Sequence, residues 1–167
     1  MVGTDRNRRR FTMKKKIMAT IMTLALSVSA LTACGGKSSV SIDASALADS
    51  LVNDITYESE LSKLSEDEIT NYIDVLDGVE GIMYMSSGST AEEVVVLTTP
   101  DESAAQTMYT NVQQFLKDQK SSFEDYIPAE AKRIDDAVTV QKGNYVVVCV
   151  SGDSDKAKEI VDQAFEK

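Results

Sequence analysis

The chain has no histidine among its 167 residues, which shortens the list of groups that could do chemistry. Ser-His and Cys-His nucleophiles and histidine metal sites are excluded, leaving carboxylates, Tyr, Lys, Ser and Cys149. Gly152-Asp153-Ser154 lies where a strand gives way to a helix and has the composition of an esterase nucleophile turn. Such a serine needs a histidine far downstream, and only thirteen residues follow Ser154. Asp153 is therefore read as a helix cap. Ser151, Asp153 and Asp155 offer oxygen ligands, but the third acid, central glycine and closing glutamate of a calcium loop are missing. No catalytic residue, metal site or cofactor is assigned. Cys149 stands in an apolar strand with no basic neighbour to stabilise a thiolate, so it is read as a buried structural thiol.

Binding, rather than catalysis, has its own candidates. Met83 and Met85 share one face of a strand, and methionine suits both adaptable contact surfaces and core filling. Tyr126 precedes Ile127-Pro128, where the restriction on a residue before proline ends a helix. Lys132-Arg133 is the only adjacent basic pair after the leader and could meet a partner or a lipid headgroup. Asp135 and Asp136 beside it favour a local surface ion pair.

The most specific signal is Leu31-Thr32-Ala33-Cys34-Gly35, a lipobox. It follows a basic Met13-Lys14-Lys15-Lys16 and an apolar run from Ile17 to Ala30. At fourteen residues that run is short of the roughly 20 needed to span a bilayer, and its flanks are those of an export signal. Cys34 is the expected site of diacylglycerol attachment, with cleavage after Ala33. Two acyl chains would then hold the protein stably on the extracytoplasmic face of the cell membrane. Arg8-Arg9-Arg10 faintly matches a twin-arginine signal, but its flanks depart from the pattern, and translation is read as starting at Met13.

Residues 1–33 hold seven of the seventeen Lys and Arg but one of the twenty-seven Asp and Glu, so the remainder carries a formal charge of −16. Nucleic acid would be repelled by it. With Cys34 lipidated, Cys149 has no intramolecular partner.

These residues must be placed by a single α+β domain over 42–167, reached through a short tether over 34–41 and preceded by a signal peptide over 1–33. Ala44, Leu47, Ala48, Leu51, Val52 and Ile55 share a helical face capped by Asp43. Ser65-Glu66-Asp67-Glu68 is a capping box for a short second helix that Asp77-Gly78 stops. Strands are expected at 82–86, 93–98, 138–141 and 145–150. Thr99-Pro100-Asp101-Glu102 reads as another capping box, opening a helix that buries Ala105, Met108, Tyr109, Val112, Phe115 and Leu116. Gly143-Asn144 suits a type II′ hairpin turn with Val140 opposite Val147 and Val138 opposite Cys149.

A shift of 52 residues lays Val94–Leu97 on Val146–Cys149 and the helix after the first strand pair on the helix after the second. The expected fold is thus a four-stranded antiparallel sheet built from a twice-used β-β-α unit, with an additional N-terminal amphipathic helix. Neither Val94–Leu97 nor Val146–Val150 alternates, so both faces of the sheet should be covered, the second by the helix from Asp43 to Ile55.

The lipobox, that first helix, Gly81-Ile82-Met83-Tyr84, Phe123-Glu124-Asp125-Tyr126-Ile127-Pro128 and Gly143-Asn144-Tyr145-Val146 occur in an order that resembles one family. It is the family of Gram-positive bacterial lipoproteins catalogued as domain of unknown function 4358. The resemblance spans nearly all of the chain after the leader and implies no activity, cofactor or catalytic residue. The expectation is a membrane-anchored, non-catalytic binding or accessory module with a protein or small-ligand partner in the cell envelope. Its alternative is an envelope enzyme working through carboxylates or Tyr126.

Overall fold

A computed structural model describes residues 40–166. Cys34, the leader and most of the tether lie outside the described residues. The elements run α1 (Ala44–Asp54), β1 (Ser62–Lys63), α2 (Glu66–Ile69), β2 (Glu80–Met85), β3 (Glu93–Thr98), α3 (Glu102–Glu124), α4 (Pro128–Asp135), β4 (Val138–Lys142), β5 (Tyr145–Val150) and α5 (Ser154–Phe165). The fold is α+β, but the antiparallel sheet has five strands in the order β1-β2-β3-β5-β4, not four. The extra strand is β1, two exposed residues paired with Tyr84 and Met85. So short a segment carries no hydrophobic period for sequence to reveal.

β3 and β5 sit at the centre and are buried along their length, which accounts for their unbroken valines. On one face Val95, Leu97, Val146, Val148 and Val150 meet Met108, Val112, Phe115 and Leu116 of α3, with Ile69 from α2 and Ile134 from α4. On the other face Val94, Val96, Val147 and Cys149 meet Leu47, Ala48 and Leu51 of α1 together with Ala157, Ile160 and Val161 of α5. Both faces are covered as expected, although α1 shares the second with α5. Gly81 allows α2 to approach β2, since a Cβ there would stand 3.1 Å from Ile69 Cδ1.

The hairpin register is the expected one, with Val138 opposite Cys149 and Val140 opposite Val147. Gly143 takes a φ of +59° in its turn. Asp43 and Asp153 cap α1 and α5, each accepting from a backbone N–H three residues on at 2.9 Å.

One expectation at α3 fails. Asp101, not Thr99, is its cap, accepting from Ala104 N at 2.8 Å. Thr99 is instead held by the β4–β5 turn, its N–H donating to Asn144 O at 2.8 Å and its carbonyl accepting from Asn144 Nδ2 at 3.0 Å. α3 ends at Glu124, before Pro128 as expected, and Pro128 opens a further helix, α4, at a first-turn position where no N–H is needed.

The 52-residue repeat is not a structural duplication. It maps Val95 and Leu97, which face α3, onto Val147 and Cys149, which face α1 and α5. The helices that follow β3 and β5 therefore lie on opposite sides of one sheet. Viewed from its own helix with the last strand pointing up, each unit has its first strand on the opposite side from the other's, because β2 and β4 both lie outside the central pair. No rotation superposes units of opposite hand, and shared strand-to-helix patterning is what the sequence shift detects. The chain enters this domain beside the β4–β5 turn, where Ile42 N–H donates to Tyr145 Oη at 3.4 Å. Among the described residues no helix is long and apolar enough to cross a membrane.

Candidate functional site

Two adjacent glutamates at the start of β3 organise the chemistry at one end of the sheet. Glu92 is fully buried and saturated. Its Oε1 accepts from Glu58 N at 2.9 Å and Arg133 Nη1 at 2.5 Å, and its Oε2 from Ser59 N at 2.9 Å and Thr90 Oγ1 at 3.0 Å. Arg133, on α4, also reaches Glu58 Oε1 at 2.5 Å and Glu130 Oε1 at 3.3 Å. Glu130 Oε2 in turn accepts from Ala91 N at 2.7 Å. Burial disfavours the Arg133 charge, and the Glu58, Glu130 and Glu92 carboxylates outweigh it to hold its pKa up. The cluster ties α4, the chain after α1 and the start of β3 into one joint.

Glu93 is equally buried but has no cation. It faces α3, one Oε2 accepting from Gln119 Nε2 at 3.1 Å while Oε1 has no partner. Gln119 Oε1 is likewise buried and without a partner. Burial pushes the Glu93 carboxyl up to about 8, against the pull of the Gln119 hydrogen bond, so at neutral pH it holds its proton.

Above this pair runs a groove of about 280 Å³ lined by Asn71, Tyr72, Met85, Phe115, Asp118, Gln119 and Ser122. Met85 is the direct cross-strand partner of Glu93. Tyr72 is 49% exposed and meets Phe115 edge-on at 6.3 Å between ring centroids. The groove combines an apolar floor, an aromatic wall and a polar rim, with a neutral acid behind the floor.

Cys149 lies in the other layer. Tyr57 Oη donates its one proton to Leu51 O at 2.9 Å, so the Cys149 thiol 3.5 Å away is the donor in their contact. Burial raises both pKa values, and the thiol is held protonated and inaccessible. The chain belongs to a recognised protein family. Its description is Domain of unknown function (DUF4358), and it matches residues 49–151. That span takes in Glu92, Glu93, Gln119, Glu130, Arg133 and the whole groove, and ends before α5. No curated protein and no solved structure matches the chain.

The residues singled out from sequence do not converge. Met83 is fully buried in the α3 layer, whereas Met85 lines the groove. Tyr126 is 83% exposed at the corner between α3 and α4. Lys132 makes the expected surface pair with Asp136 at 2.5 Å. Arg133 does not, because one helical position further on it turns inward to carboxylates 41 and 75 residues earlier in the chain. Glu93 and Gln119 were missed, though a signal existed. If both faces of the sheet are covered, a glutamate inside the β3 segment has nowhere exposed to point.

Proposed function

We propose that this protein is a lipid-anchored, extracytoplasmic binding module that holds its partner or ligand in the groove between Tyr72 and Gln119. The lipobox ending at Cys34 supports the anchor. The single observation supporting the groove is its construction, with an exposed aromatic and Met85 over a buried polar pair lacking two hydrogen-bond donors. The acids offer little to a catalytic alternative. Paired-carboxylate chemistry needs two acids across a cleft with pKa values pushed apart. Here Glu92 and Glu130 are occupied by backbone N–H groups and Arg133, and Glu93 is sealed from solvent. Tyr126 stands in solvent at the corner before α4.

The test is photocross-linking from position 72 of the full-length protein in its own membranes. A discrete adduct that Gln119→Arg abolishes is the expected outcome. A Cys34→Ser form that stayed membrane-bound would refute the anchor. Turnover of a substrate, abolished by changing Tyr126 or one carboxylate, would replace the module with an enzyme.

A further inference from the structure

We infer that the free edge of β4 and the cleft beside it form a docking site for an extended peptide segment of another protein, which pairs with β4 through its backbone and sets an acidic side chain against Lys117. This is a second site beyond the groove. The cleft, of about 370 Å³ between α3, the end of α4 and the start of β4, shares no lining residue with it. The edge itself is the first support. β4 is the last strand of the sheet and pairs only with β5. The two-residue turn makes Lys142 and Tyr145 a pair that exchanges both hydrogen bonds, so Val140 and Val138 also turn their backbone groups to β5. Thr139 and Gln141 turn theirs outward, and among the described residues these outward groups have no partner. Proteins block such edges by making them short, bulged or proline-bearing. β4 has five residues, an unbroken register and no proline, and none of its residues is fully buried. At the opposite edge β1 has two residues.

The charge of the cleft is the second support. Two lysines and one acid line it. Asp135 holds Lys120 at 2.7 Å and is neutralised by it. Lys117, one turn earlier on the exposed side of α3, has no ion-pair partner among the described residues. A chain whose residues after the leader carry a formal charge of −16 thus keeps an uncompensated cation beside its open edge. Complementarity there calls for an anion, and it selects among occupants while the backbone pairing holds them.

The alternation of the strand sets the pattern of the occupant. Thr139 faces the cleft, whereas Val138 and Val140 face the layer of α1 and α5. A residue paired with Thr139 sends its side chain to the same face, into the cleft that Lys117 lines. Its two neighbours extend the Val138 and Val140 surface on the other face. The fitting sequence is therefore apolar, acidic, apolar. A second copy of this chain does not supply it. Two β4 edges paired symmetrically about Val140 set Gln141 opposite Thr139 and bring no carboxylate to the cleft. A free carboxylate would meet Lys117 but leave the edge unpaired.

The test is fluorescence anisotropy of the full-length protein in detergent with a dye-labelled peptide, Thr-Val-Glu-Val-Thr, capped at both ends. Saturable binding below millimolar concentration is expected, weakened about tenfold when lysine replaces the peptide's glutamate. Methylating the glutamate's backbone nitrogen, which points at Thr139 in the paired register, should abolish binding. Methylating the nitrogen of the valine that follows, which points away from β4, should leave it in place. In the protein, Lys117→Glu lies on an exposed helix face, should fold normally, and should weaken the glutamate peptide at least about fivefold while strengthening the lysine one. Thr139→Pro removes one outward N–H and spares the ladder to β5, so it should lose the peptide with the fold intact. Absence of saturable binding at millimolar concentration would overturn the inference. So would glutamate and lysine peptides of equal affinity, or two methylated peptides that bind alike. Self-association of the protein that Thr139→Pro abolishes would give the edge to a second copy and overturn the peptide. The cross-link from position 72 reports on the other side of α3, so the groove and this site stand or fall separately.

Discussion

At the scale of single residues, Glu92 and Glu93 show how neighbouring carboxyls reach opposite states. Glu92 gathers four donors and an arginine, whereas Glu93 has one amide and a wall of hydrocarbon. Because the Glu93 pKa is raised in the folded state to about 8, from an ordinary unfolded value near 4.3, the native protein binds more protons between those values. Its contribution to stability is fully present below the unfolded pKa and is lost as pH rises through the folded one. Urea melts of wild type and Glu93→Gln should therefore agree best below about pH 4. At pH 9 the Gln variant should be the more stable, and parallel pH profiles would contradict this. Arg133→Met should cost about 3–5 kcal/mol by leaving buried carboxylates without their cation, with part recovered on adding Glu92→Gln. Lys132→Ala, which breaks an exposed pair, should barely shift the melt. The Lys132 pairing was legible in sequence because its partner is four residues away; the rest of the Arg133 network was not, because Glu58 and Glu92 reach it only through tertiary packing.

Among the elements, legibility followed whether a signal was local. Asp43 and Asp153 stand directly before periodic apolar runs, and both cap as read. At Thr99 two local signals compete, and the hairpin turn of a distant strand pair decides between them by capturing the threonine, leaving the cap to Asp101. α4 was invisible because its eight residues bury only Ala131 and Ile134 from the apolar set, too few to show a period. The β4–β5 turn was legible to the residue. Gly143→Val should destabilise the domain by roughly 1 kcal/mol or more, since a β-branched residue resists positive φ. The new side chain would also press on Val40, whose Cβ lies 3.2 Å from the position of the added Cβ. Gly143→Asn, which tolerates left-handed backbone, should cost less; equal losses in urea melts would shift the blame from the backbone to the contact.

For the molecule as a whole, the unbroken valines of β3 and β5 announced two covered faces, and two apolar layers are present. What sequence could not show was the hand of the units, because a linear shift is blind to which side of a strand its partner takes. Cys149 sits between the sheet and its α1/α5 layer, with no exposed surface. A thiol reagent should modify it only at the rate of domain opening, so labelling should accelerate with urea in step with unfolding; rapid labelling in buffer would mean a layer that lifts on its own. The entry of the chain next to Tyr145 has a further outcome. Tyr145 lies opposite Thr98, and Glu93 lies opposite Val150, so entry point and groove occupy the two poles of the sheet, about 17 Å apart along the strands. The incoming chain and whatever the groove holds therefore meet the sheet at opposite ends and do not compete for the same loops.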